Sequence, residues 1–230
     1  MVGQMKFVRP KRITLFAGHY GSGKTNIAVN YALKLKEEGK EVRIADLDIV
    51  NPYFRTKDSA SELAAAGIEL ISPAFANTNV DLPALPAEVY SLMQNKNSFA
   101  VLDIGGDDRG AYALGRYREY ILEENDYEMI FVANFYRPLT TTPEEALEVM
   151  REIEAASKLP FTAIVNNSNL GNSTTPEDIE KTDSKARELS QISGLPILFT
   201  SVEEKIAENV GLDNVFSMKL QEKYFDIKEN

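Results

Sequence analysis

Residues 18–25 read Gly-His-Tyr-Gly-Ser-Gly-Lys-Thr, the spacing G-x-x-x-x-G-K-[ST]. That spacing suits the chemistry of holding phosphate. Glycines let the backbone curl until successive N–H groups face one anion, and a following helix adds the positive end of its dipole. Gly18, His19, Gly21, Ser22 and Gly23 are therefore expected to form the cradle, with Asn26 also among the nucleotide-binding residues. Lys24 would place its charge on the outer phosphates, and the Thr25 hydroxyl would ligate Mg²⁺. His19 is the sole histidine of the chain. Its imidazole either packs neutral against the loop or lends a partial charge to it.

A magnesium–nucleotide site also needs carboxylates. Asp103 ends an apolar run and is followed by Gly105 and Gly106, as expected of a metal-shell aspartate with a loop whose backbone can approach a terminal phosphate. Asp46 and Asp48 follow another apolar run. Alternation along an extended chain puts both on one side, with Asp48 reaching further. Asp103 and Asp48 can instead cap turns, which is common for this residue. Asn166 and Asn167 end a later apolar run.

These residues need elements to position them, and the pattern supplies them. Apolar runs at 12–18, 41–48, 68–72, 99–106, 128–134, 161–167 and 196–201 read as seven strands. Helical spacing occupies 24–38, and a further helix is expected over 83–95. Ser59 with Glu62, Thr142 with Glu145, and Thr175 with Asp178 are capping-box starts, the last two strengthened by Pro143 and Pro176. Residues 202–210 read as a short helix. Apolar strands alternating with helices predict an α/β, three-layer fold with a mostly parallel central sheet flanked by helices. In such sheets ligands bind beyond the carboxyl ends of the strands, where the polar residues above all fall. Residues 1–230 are expected to form a single domain.

Composition narrows the function. The chain carries 35 acidic and 25 basic residues, a net charge of −10, which disfavours binding to nucleic acid. It has no cysteine, so disulfides, thiolate zinc sites and cysteine-held iron–sulfur clusters are excluded. No apolar run approaches the length of a membrane span, and the segment from 216 onward is too mixed in charge for an amphipathic anchor. A cytoplasmic protein is expected.

Phosphate loop, then a strand ending D-x-D, then a strand ending D-x-G-G, resembles the MinD/ParA-type P-loop ATPases of the CobQ/CobB/MinD/ParA nucleotide-binding family, over about 12–212. Their wider class includes the nitrogenase iron protein, arsenite-pump ATPases and dethiobiotin synthetase. The resemblance implies ATP and Mg²⁺ as ligands and slow hydrolysis that switches affinity for a protein partner. It implies Lys24 and Asp48 as catalytic residues, Asp48 acting on the attacking water. Thr25, Asp48 and Asp103 would hold the metal, Gly105 to Arg109 would form the second switch, and Asn166, with Asn167 beside it, would contact adenine. Residues 51–55 and 107–121, rich in arginine and tyrosine, are the expected partner surface.

Many such ATPases carry a second lysine directly after the first glycine, which reaches a partner's nucleotide across a dimer. His19 stands there, and Tyr20 replaces the next glycine. A homodimer, if formed, is therefore expected to be weaker or different. Dethiobiotin synthetase, which also lacks that lysine, keeps a small-molecule ligase or kinase open as an alternative, as does an ATP-binding scaffold without turnover. Guanine is disfavoured because no N-K-x-D stretch follows the strand at 161–167.

Overall fold

The computed structural model describes residues 9–48, 56–72, 88–106 and 108–221. Eight strands form one sheet: β1 (Ile13–Ala17), β2 (Val42–Leu47), β3 (Glu69–Ile71), β4 (Phe99–Ile104), β5 (Tyr127–Ala133), β6 (Ala163–Asn166), β7 (Ile197–Glu203) and β8 (Val215–Met218). Their order is β3-β2-β4-β1-β5-β6-β7-β8, and every described pairing is parallel. Parallel strands need crossovers, and helices supply them: α1 (Lys24–Glu37), α2 (Ala60–Ala65), α3 (Glu88–Gln94), α4 (Asp108–Gly115), α5 (Arg118–Glu124), α6 (Pro143–Ser157) and α7 (Pro176–Ser193).

Both sheet faces are covered, so the strands are apolar on both. Ile13, Leu15 and Ala17 of β1 pack toward α3 to α7 through Leu92, Leu114, Ile121, Met150 and Leu189. Phe16 packs oppositely, toward Ile27, Tyr31 and Leu35 of α1 and Leu63 of α2. The result is the three-layer α/β architecture of P-loop NTPases. β1 sits between β4 and β5, so the loop after β1 opens at the point where the chain's winding changes direction.

Local sequence explains most boundaries. Thr142 and Thr175 each accept from the backbone N–H three residues on, while Glu145 and Asp178 return the bond, completing both capping boxes. Ser59 does not cap. A 3-10 turn over Thr56–Ser59 runs directly into α2, and the Ser59 hydroxyl accepts from Gln221 instead. The helix expected at 202–210 is not there. β7 continues to Glu203, because Val202 is buried beside Val215 of the unforeseen β8, and only a 3-10 turn at Ala207–Asn209 follows. The expected helix over 83–95 is present from Glu88 to Gln94; 83–87 lie outside the described residues.

Candidate nucleotide site

The turn between β1 and α1 is shaped by close backbone approach. A Cβ on Gly18 would lie 2.5 Å from the Val132 carbonyl oxygen of β5, so only glycine fits. Ser22 N–H donates to His19 O at 3.1 Å and closes the turn. Gly23, at φ +88°, caps α1, and a side chain there would strike the Asn167 amide. That amide donates to Ser22 O at 2.6 Å, while its oxygen accepts from Ser201 of β7 at 2.6 Å. The phosphate loop is thus pinned from below by β6 and β7. Lys24 is buried at the loop and donates to His19 O at 3.2 Å.

Asp103 stands at the carboxyl end of β4, paired in register with Phe16 and with Asp46. It is fully buried. Its Oδ2 accepts from the Thr25 hydroxyl at 2.6 Å and from the Thr56 hydroxyl at 3.1 Å. Among the described residues its Oδ1 has no hydrogen-bond partner. Burial dominates the carboxyl, raising its pKa from 3.8 to about 6 against the opposing pull of Lys24 and Thr25. Asp48 is buried nearby, its N–H donating to Asp46 Oδ1 at 3.0 Å, and a Cβ on Gly105 would sit 3.3 Å from Asp48 Oδ1. Gly106 lies against the loop: a Cβ there would meet Tyr20 N at 2.7 Å and Lys24 Nζ at 2.9 Å.

A threonine hydroxyl and two carboxylates, one with a buried oxygen unpartnered among the described residues, are hard oxygen donors. They fit Mg²⁺, which takes one or two protein carboxylates and leaves its other positions to water and phosphate. The residues that would hold it are Thr25, Asp103 and Asp48.

Two expected residues are placed elsewhere. The Asn26 amide faces Met218 of β8 and the backbone of Gln221, so it ties α1 to the end of the described residues rather than facing a nucleotide. Asn166 is fully buried, and both ends of its amide are engaged, by Thr182 and by Ser168. It braces the turn after β6. His19 stays at the loop, its Nδ1 3.0 Å from Tyr20 O.

Of the expected partner surface, 51–55 and 107 lie outside the described residues. The remainder splits after Gly115 into α4 and α5. Tyr117 turns inward onto Tyr90, Arg118 caps Lys158 O, and Tyr112 and Tyr120 stay exposed. Sequence reasoning missed Thr56, which follows β2 and donates to Asp103, and Ser201, near the carboxyl end of β7, which donates to Asn167; their place toward the carboxyl edge was the available signal.

No protein-family model matches the chain, and no curated protein matches it. Solved structures do share its fold. Cell division protein FtsY from Thermotoga maritima superposes with a TM-score of 0.60 at 18% identity, covering 88% of this chain and 65% of its own. FtsY from Mycoplasma mycoides gives 0.54 at 17%, covering 88% and 63%. The signal recognition particle 54 kDa protein from Aeropyrum pernix, solved with GDP, gives 0.50 at 14%, covering 85% and 42%. The chain spans under two thirds of the length of each. Among the described residues no helix is long and apolar enough to cross a membrane. The fold is that of the P-loop NTPases.

Proposed function

We propose that this chain is a magnesium-dependent nucleoside triphosphatase, using ATP, that acts as a switch on a protein partner. One observation carries the reading: Lys24 and Thr25 of a phosphate loop stand beside a buried aspartate, Asp103, one of whose oxygens lacks a partner among the described residues. Loop N–H groups and Lys24 bind the phosphates. Thr25, Asp103 and Asp48 hold the metal, which neutralises phosphate charge and orients the terminal group when bound. Asp48 orients the attacking water. Residues 51–55 and 107–121 follow the two acidic strand ends and carry the state of the site to a partner.

Base choice has two readings. Guanine is supported by the GDP named with a structure of similar fold. Adenine is supported by the lack of an N-K-x-D stretch after β6. Guanine's N1–H and N2–H₂ call for two acceptors, which a carboxylate there would supply. The test is steady-state turnover of ATP and of GTP, each with the other as competitor, in wild type and Lys24→Ala. ATP turnover that Lys24→Ala abolishes is the expected result. Preference for GTP would replace the base, and turnover unaffected by Lys24→Ala would sink the site.

A further inference from the structure

The turn from β5 to α6 aims an arginine at the phosphate loop. A Cβ on Gly21 would lie 3.7 Å from both Cδ and Nε of Arg137, so the side chain lies across the outer bend of the loop. Among the described residues its guanidinium has neither ion pair nor hydrogen bond, although the chain is strongly acidic.

The turn that carries it is held by many polar bonds. Arg137 N–H donates to Asn134 O at 3.1 Å, and the buried Thr140 hydroxyl donates to the same oxygen at 2.8 Å. Tyr136 N–H donates to Asn134 Oδ1, Phe135 N–H to the Ser168 hydroxyl, and the Tyr136 hydroxyl to Asp178 O at 2.7 Å. Two residues on, Leu139 adopts φ +65° with its side chain 62% exposed. A leucine in the left-handed region, with no apolar seat to reward it, is backbone strain kept by its surroundings. Such strain concentrates at functional sites.

Charge gives this placement a purpose. A magnesium–triphosphate retains about two negative charges, and the loop itself offers one lysine. His19 occupies the place where a second lysine would stand. We propose that Arg137 is the second cation of the site, contacting the β- and γ-phosphates of the nucleotide in its own chain's loop. This rests on the triphosphatase reading above. During transfer the water oxygen bonds to the γ-phosphorus, and the bond from that phosphorus to the bridging oxygen breaks. The electron pair stays on the diphosphate, and the water's proton ends on the released phosphate. Arg137 stabilises the charge that gathers on the bridging oxygen.

The test titrates the full chain with Mg²⁺ and ADP, with and without aluminium fluoride, which mimics the transferring phosphoryl group. Wild type, Arg137→Ala and Arg137→Lys are compared. Arg137→Ala should bind ADP within about threefold of wild type yet lose about tenfold or more of the tightening that fluoride brings, with Arg137→Lys recovering part. Equal tightening in Arg137→Ala and wild type, or no tightening in wild type, overturns the assignment. Restored ATP turnover on mixing Arg137→Ala with Lys24→Ala also overturns it, since the charge would then act between chains. Lys24→Ala alone is the separate control: ADP binding like wild type brings down the triphosphatase reading whatever Arg137 does.

Discussion

Replacing Asp103 with asparagine should remove a pH-dependent loss of stability from the metal-free protein while destroying its site. The carboxyl titrates near 6 in the fold against an ordinary 3.8 because it is fully buried. A raised pKa means that the folded state binds the proton more tightly than the unfolded chain does. Stability from this group is therefore full at low pH and is lost as pH rises through the window from 3.8 to about 6. At 1.36 kcal/mol per pH unit the loss totals about 3 kcal/mol, of which about 2 kcal/mol falls between pH 4.5 and 7.5. Asparagine carries no charge and keeps an oxygen for Thr25 and Thr56. Its NH₂ replaces an oxygen that already lacked a partner, at a cost of roughly 1–3 kcal/mol that does not vary with pH. The assay is urea unfolding of wild type and Asp103→Asn in EDTA without nucleotide at several pH values. The stability difference should move in favour of the variant by about 2 kcal/mol between pH 4.5 and 7.5. A difference that stays flat over that window would refute the argument. Added Mg²⁺ should rescue wild type at pH 7.5 and leave the variant unmoved.

Thr56→Val removes one of two hydroxyls on Asp103 Oδ2, so it should raise the Mg²⁺ concentration needed for nucleotide binding several-fold; Thr56→Ser should restore it, as titration of Mg²⁺ at fixed ADP would register. Asn167→Ala takes the amide from the Ser22 carbonyl and leaves the Ser201 hydroxyl only its longer bond to Asn166 O, costing about 1–3 kcal/mol in chemical unfolding and weakening nucleotide binding together. Asn166→Ala should cost stability comparably, about 1–3 kcal/mol, with a smaller effect on binding, because its partners Thr182 and Ser168 lie beneath the turn. Arg12→Ala strands Glu124 and frees the carbonyls of Leu92, Asn95 and Ser98 at the end of α3; a loss of about 3–5 kcal/mol by urea denaturation is expected, with nucleotide affinity preserved in the folded fraction.

The fold was legible because its strongest signals are local. Strands apolar on both faces and boxes such as Thr142–Glu145 declare themselves within a few residues. The phosphate loop and the Asp103 strand end were equally local. What escaped depended on distant partners. β8 is four residues long and is a strand only because β7 offers an edge. The same pairing draws 202–203 out of the helical pattern. Ser59 has the right spacing for a cap, but the preceding turn enters α2 without one. Asn26 and Asn166 look like ligand contacts from their neighbours in sequence. Their amides are engaged by Gln221 and by Thr182, which are 195 and 16 residues away. Arg137 was invisible for the same reason: its side chain lies against Gly21, a residue on another strand's loop.

The strand order also sets a schedule for biosynthesis. β1, which carries the phosphate loop, is flanked by β4 and β5, and the loop's underside waits for Asn167 and then Ser201. A ribosome adding about 5–20 residues per second makes the loop early and its supports many seconds later. Until Val132 is made the glycine turn has no β5 carbonyl against it, and until Asn167 is made there is no amide under Ser22. Nascent chains ending before Ser201 should not be retained on an immobilised nucleotide, so the ligand can reward only a chain whose sheet is nearly complete.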